Sequence, residues 1–297
     1  MFRNTADVMA SAPPTAQVIT ETCKQIGIKH YVEDIPHSTR QARLHWLGDR
    51  QAEKTVLYFH GGGFGVPAFE GHVKFVGKTI EKVKQNGVDL NVAMLEYALT
   101  PAAKYPVQIT QAAEALHFLL DRGHDPSNII IGGDSAGGNL VLALSSIILH
   151  GFDGVRPFTL NDKLAGAIII SGWVSYDTEA ESMTTNDIFD VVSHKSGTSI
   201  HPAYVSDDQR NNYSEPIRAG AAWWIDFPAK RILNVYGGHE VFRDDIVLVG
   251  QQLQDAGNDV ESVESPMHVH ADCILDAQTG FAHGEMAETI WDFLSGV

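Results

Sequence analysis

The stretch Gly133-Asp134-Ser135-Ala136-Gly137-Gly138 constrains this chain more than any other. It follows Ile129-Ile130-Ile131, a β-branched apolar run that reads as a buried strand, and precedes Leu140-Val141-Leu142-Ala143-Leu144, which reads as a helix. A strand, a sharp turn and a helix in so few residues crowd the backbone at the central Ser, so its neighbours must lack bulk and tolerate unusual φ/ψ. The glycines meet that need. Such a turn lifts the Ser135 hydroxyl out at the end of a sheet. It also aims the first N–H groups of the helix at whatever the hydroxyl attacks.

The rest of the chain supplies the sheet that this turn requires. Residues 28–35 and 40–47 predict two strands around a turn at Pro36-His37-Ser38-Thr39. Short buried strands are expected at 55–59, 90–97, 128–133, 165–171, 231–236 and 260–264. Helical periodicity runs over 72–86 (Val73, Val76, Ile80, Val83), over 106–122, and over a closing helix from Gln278 to Leu294 that includes Phe281. This alternation from residue 55 onward predicts an α/β fold with a mostly parallel sheet covered on both faces. It fails between 172 and 230, a stretch rich in Ser, Thr, Asp, Pro and aromatic residues. So long an excursion reads as an insertion packed over the site and partnered by the N-terminal 27 residues. Its aromatic residues Trp173, Tyr176, Tyr204, Trp223, Trp224 and Phe227 are expected mainly to pack it onto the body.

A second motif points to chemistry at Ser135. His60-Gly61-Gly62-Gly63 follows the strand Thr55–Phe59. Three consecutive glycines lose much backbone entropy on folding, which flexibility alone explains poorly. They suit backbone donors aimed at a developing oxyanion with no side chains in the way. The loop lacks the Lys-Ser/Thr of a phosphate-binding loop, which argues against a nucleotide. No metal-ligand spacing is present, and neither metal nor cofactor is expected.

The order HGGGF at 60–64, EYALTPAAKYP at 96–106 and GDSAGG at 133–138 resembles the α/β-hydrolase fold, and more closely the hormone-sensitive-lipase-like esterases, including fungal members. The resemblance is strong over 55–150 and looser over 231–294. It implies an α/β-hydrolase core at 28–172 and 231–297, with a helical cap formed by the insertion at 173–230 and the N-terminal 1–27. It also implies a catalytic triad in chain order Ser, acid, His. Ser135 would be the nucleophile. Glu240 would be the acid, preferred over Asp244 and Asp245, and His270 the base, preferred over His268. The amides of Gly62, Gly63 and Ala136 would form the oxyanion hole. His283 is expected to be an ordinary histidine. Asp134 is read as a cap of the following helix. Glu96 and Ala98 stand where Asp and Arg are frequent in such esterases, so a charge contact is expected to be missing there.

The activity implied is hydrolysis of a small-molecule ester. The same nucleophile and base could serve a cyclisation, elimination or acyl transfer in secondary metabolism. A non-catalytic ligand receptor of the same fold would lack a working His, and this chain has His candidates.

Charge and cysteine content bound the setting. Lys and Arg number 21 against 37 Asp and Glu, a net charge of −16. An acidic surface disfavours nucleic acid and anionic membranes as partners. Two cysteines, Cys23 and Cys273, are no disulfide framework and read as free thiols in a reducing compartment. Residues 1–18 lack the apolar core of a secretory signal, and no run suffices to span a membrane, so a cytoplasmic protein is expected. A homodimer is compatible with the resemblance.

Overall fold

In the computed structural model, which describes residues 12–194 and 201–297, eight named strands form one sheet. They are β1 (His30–Asp34), β2 (Arg43–Leu47), β3 (Lys54–Phe59), β4 (Leu90–Glu96), β5 (Ile129–Asp134), β6 (Gly166–Ile170), β7 (Ile232–Gly237) and β8 (Val260–Ser265). Their spatial order is β1-β2-β4-β3-β5-β6-β7-β8. The first two joins are antiparallel and the others parallel. The α/β class and the strands expected from the sequence are therefore found, with ends displaced by at most three residues, the largest at the start of β2.

The inner strands β3 to β7 are buried on both sides and apolar on both faces, whereas the edge strands β1 and β8 are partly exposed. Along β3, Leu57 and Phe59 enter one core while Val56 and Tyr58 enter the other. The same alternation runs through β4, with Ala93 and Leu95 on one side and Val92 and Met94 on the other. Helices α1 (Thr15–Ile26), α2 (Glu70–Gln85), α7 (Asp272–Thr279) and α8 (Glu285–Ser295) contribute to the second core. Helices α3 (Val107–Asp121), α4 (Ala136–His150) and α6 (Arg243–Asp255) contribute to the first. Within the second core α1 packs against α2.

The sheet order fixes where a site can form. From β3 the chain steps outward to β4, then returns past β3 to β5. The loops leaving the carboxyl ends of β3 and β5 diverge there and leave a crevice, the usual place for a ligand in an open parallel sheet. Phe59 pairs with Gly133, so the 60–63 loop and Ser135 emerge side by side.

Two expectations need correction. The closing helix is two helices, α7 and α8. Gly280, at φ 77°, ends α7 in the left-handed conformation, and Gly284 caps the start of α8. Phe281, counted above into the apolar face, lies between them and is exposed. Glu96 also keeps a charge contact. It pairs with Arg43 at 2.8 Å and with His45 at 3.0 Å, both on the neighbouring strand β2.

Among its described residues the 173–230 stretch holds the one-turn helix α5 (Ser182–Thr185) and 3-10 turns at Asp207–Gln209, Pro216–Arg218 and Ala221–Trp224. Its Trp173, Tyr176, Tyr204, Trp224 and Phe227 are buried in the first core, and Trp223 packs against that core. Cys23 and Cys273 are free and buried. Burial alone pushes the Cys23 thiol up to about 12. No described helix is long and apolar enough to cross a membrane.

Candidate active site

Ser135 sits between β5 and α4 at φ 53°, ψ −117°. A non-glycine residue in that region is strained, and such strain persists only where surrounding contacts over-determine it. Here the Ser135 N–H donates to Ile170 O at 2.9 Å, and its carbonyl accepts from Asn139 N and Trp173 N. The turn also needs a bare residue at 137, because a Cβ there would collide with the Phe59 carbonyl at the end of β3.

The expected helix-capping role of Asp134 is not what is found. Its carboxylate turns away from α4 into a buried network. Oδ1 accepts from Tyr58 Oη at 2.7 Å and from Gly61 N at 3.0 Å. Oδ2 accepts from His72 Nε2 at 3.2 Å. The tautomer of His72 follows from its other nitrogen. Phe69 N–H donates to Nδ1, so the ring proton lies on Nε2, facing Asp134. Burial favours the neutral acid, but His72, the hydrogen bonds of His72 and Tyr58, and His60 outweigh it and hold the carboxyl below its ordinary value.

The 60–63 loop is held at its start. His60 Nδ1 lies 2.7 Å from Gly61 O, and Tyr97 Oη donates to His60 O. A carbonyl can only accept, so His60 carries its proton on Nδ1. Burial and neighbouring His72 lower the His60 pKa to about 4. Gly62, Gly63 and Phe64 follow at φ 108°, 58° and 61°. This run turns the backbone tightly, and Gly62 O accepts from both Gly65 N and Val66 N. The amides of Gly62, Gly63 and Ala136 find no backbone acceptor among the described residues.

Glu240 and His270 come from the turns after β7 and β8. Glu240 is fully buried, and its Oε2 accepts weakly from Gly237 N at 3.4 Å. His270 Nδ1 lies 3.7 Å from that same Oε2, within ion-pair reach but longer than a hydrogen bond. The imidazole is edge-on to Phe242. Burial opposes its positive charge, but the carboxylates of Glu240, Asp190 and Asp134 prevail and hold its pKa above the ordinary value. Two hydrogen bonds tie this turn to the Ser135 turn. Ala271 N donates to Ser171 Oγ, and Ser171 follows Ile170, whose carbonyl accepts from Ser135 N.

A family profile described as the alpha/beta hydrolase fold matches residues 56–273. The chain belongs to that family. It is 25% identical over 223 residues to an acetyl-hydrolase of Streptomyces hygroscopicus, a match covering 74% of this chain and 69% of that protein. Its fold is similar to that of carboxyl esterase 2 from the mycorrhizal fungus Tuber melanosporum, with a TM-score of 0.76 at 19% identity over 90% of this chain and 85% of the other. An esterase from the bacterial hormone-sensitive lipase (HSL) family gives 0.74 at 21% identity, over 100% of this chain and 98% of the other.

In this alpha/beta hydrolase the alternative acids and base have partners of their own. His268 packs its ring where a Cβ on Gly284 would stand, and its Nδ1 lies 2.9 Å from Asp272 Oδ2, out of line for a hydrogen bond. Asp244 accepts from Ser182 N and pairs with Arg243. Asp245 is raised to about 6, chiefly by burial, and bonds Ser175. His283 is half-buried beside Trp291 and Phe75. Among the described residues no group of three or more His, Cys, Asp or Glu could hold a metal ion.

The insertion reaches the site with three polar side chains that sequence reasoning missed. Ser182 Oγ donates to Val241 O, and Asn186 Nδ2 donates to Gly238 O and Glu240 O. Asp190 accepts from Val241 N and from His270 N. Nothing local marks these residues, since they lie in the stretch where the β-α alternation fails.

Proposed function

We propose that the protein is a serine carboxylesterase acting on a small-molecule ester, with Ser135 as nucleophile, His270 as base, Glu240 as acid and the amides of Gly62, Gly63 and Ala136 as oxyanion donors. What carries this reading is the strained Ser135 turn emerging beside the 60–63 loop, with the amides of Gly62, Gly63 and Ala136 lacking a backbone acceptor among the described residues. Such donors stabilise charge only when a substrate oxygen arrives, which favours the transition state over the ground state.

The chemistry follows from these parts. His270 takes the Ser135 proton as the hydroxyl attacks the acyl carbonyl. Glu240 orients the imidazole and stabilises the imidazolium. The tetrahedral oxyanion is bound by the three amides. Collapse expels the alcohol, protonated by His270, and water then cleaves the acyl-enzyme by the same steps. Residues 173–230 act as a cap that shapes the pocket over a core of 28–172 and 231–297. The acetyl-hydrolase and the two esterases among its likenesses support the same reading.

The test is hydrolysis of p-nitrophenyl esters from acetate to decanoate by the wild type and Ser135→Ala. Turnover by the wild type that vanishes in Ser135→Ala is expected, with the chain-length optimum sizing the pocket. A folded wild type inert on every ester overturns the reading.

A further inference from the structure

The 173–230 insertion holds the backbone of the acid and base turns together through one side chain. Asp190 Oδ1 accepts from His270 N at 3.1 Å and from Val191 N at 2.7 Å. Its Oδ2 accepts from Val241 N at 2.7 Å. Val241 directly follows Glu240, so one planar carboxylate bridges the residue beside the acid and the base itself. These two turns leave different strands, β7 and β8. A direct backbone link between them is His239 N to His268 O at 2.9 Å, one residue before the acid and two before the base.

Asp190 is itself held in place. Four residues upstream, Asn186 spans the carbonyls of Gly238 and Glu240, and Ser182 donates to Val241 O. Ser182 also exchanges hydrogen bonds with Asp244 at the start of α6. A carboxylate with three backbone donors on one oxygen, Val192 N at 3.4 Å being the third, and one on the other has little freedom to swing.

We propose that Asp190 is a positioning residue for His270, locking the base turn to the acid turn through its half-buried carboxylate and adding a negative charge close to the base. This rests on the reading of His270 and Glu240 as base and acid. The Glu240–His270 separation of 3.7 Å is set by two loops and not by a strong bond between the side chains, so whatever fixes the loops fixes the pair. The negative charges facing His270 are Glu240 from the β7 turn, Asp190 from the insertion and Asp134 from the end of β5. On its own turn, Asp272 faces His268. Of these, Asp190 alone bonds the His270 backbone among the described residues. The insertion is thereby part of the base's support as well as a cover for the pocket.

The experiment compares the full chain with Asp190→Asn and Asp190→Glu. Asparagine keeps the shape but removes the charge and sets an amide donor against backbone donors. Glutamate keeps the charge but displaces it. The first readout is an NMR titration of the His270 imidazole, assigned with His270→Gln, which needs no turnover. The second is kcat and KM on the best p-nitrophenyl ester. In Asp190→Asn the His270 midpoint is expected to move to lower pH and kcat to fall about 10- to 100-fold with KM nearly unchanged, since misplacing a base acts on the reacting step. In Asp190→Glu the midpoint stays near that of the wild type while kcat falls. An unaltered midpoint and kcat in Asp190→Asn overturn the proposal. Should Asp190→Asn not fold, an unaltered kcat in Asp190→Glu does the same. If the wild type cleaves no ester, the esterase reading fails alone, and the His270 midpoint in Asp190→Asn still decides this proposal.

Discussion

Asp134 Oδ1 accepts the backbone N–H of Gly61 at 3.0 Å, so the residue before Ser135 grips the loop that carries Gly62 and Gly63. The same carboxylate accepts hydrogen bonds from Tyr58 and His72. One buried group therefore ties the end of β5, the end of β3 and helix α2 together beneath the crevice. Replacing Asp134 with Ala leaves three buried donors without an acceptor. A loss of about 3 kcal/mol in urea unfolding is expected, since each orphaned donor costs roughly 1–3 kcal/mol and neighbouring groups relax. Loss of ester turnover beyond that explained by the unfolded fraction is expected as well, because the Gly61 amide is released. An Asp134→Ala protein with wild-type stability contradicts the network's role.

The two histidines after β8 separate cleanly. His270→Ala should lower kcat by about 10⁴- to 10⁶-fold, the range for losing a member of such a triad. His268→Ala should leave kcat within a few-fold, because its ring packs against Gly284 and Asp272. Steady-state kinetics on one ester is enough, and a reversal of the two results would make His268 the base.

The pH dependence of turnover has a definite sign. As the proposed base, His270 would have to be neutral to accept the Ser135 proton, and its pKa is held above the ordinary value of 6.5 by Glu240, Asp190 and Asp134 against the effect of burial. The acid limb of kcat/KM, which reports the free enzyme's base, should therefore be centred above pH 6.5. A raised folded-state pKa also means that the stability His270 contributes is complete below its unfolded value and fades as pH rises through the folded one. A limb centred below that ordinary value in a pH–rate profile would remove the raised base from the mechanism.

His60 acts in the opposite direction on stability. Its pKa falls from 6.5 to about 4, mainly through burial, so the fold holds it neutral. Its contribution is present above the unfolded value and is lost as pH falls from 6.5 through 4. The loss by the lower end is roughly 3 kcal/mol, from 1.36 kcal/mol per pKa unit. Urea unfolding at pH 7 and near pH 4.5 should show a steeper acid loss in the wild type than in His60→Asn. Equal pH dependence in the two proteins would mean that His60 protonates freely in the fold.

Much of this molecule was legible because the rules that write it are local. Glycines beside a central Ser, a triple glycine after a strand, and the change from continuous apolar runs to helical spacing each operate within a few residues. They gave the parallel sheet, the Ser135 turn and the 60–63 loop. The closing helix departs from its apolar spacing at the same scale, because Gly280 ends α7 while the spacing runs on past it.

What the chain could not disclose depends on partners far apart in sequence. Asp190 lies 51 residues from Val241 and 80 from His270. Tyr58 and Asp134 are 76 residues apart. The sequence by itself determined which residue types could do the chemistry and roughly where each strand ends. Only the tertiary structure decided which way each side chain lies: His270 toward Glu240 and His268 toward Gly284, Asp134 toward Gly61 and away from the helix it precedes. The physical reason is that a side chain's role is set by the donors, acceptors and charges packed around it, and the sheet order assembles those from distant segments.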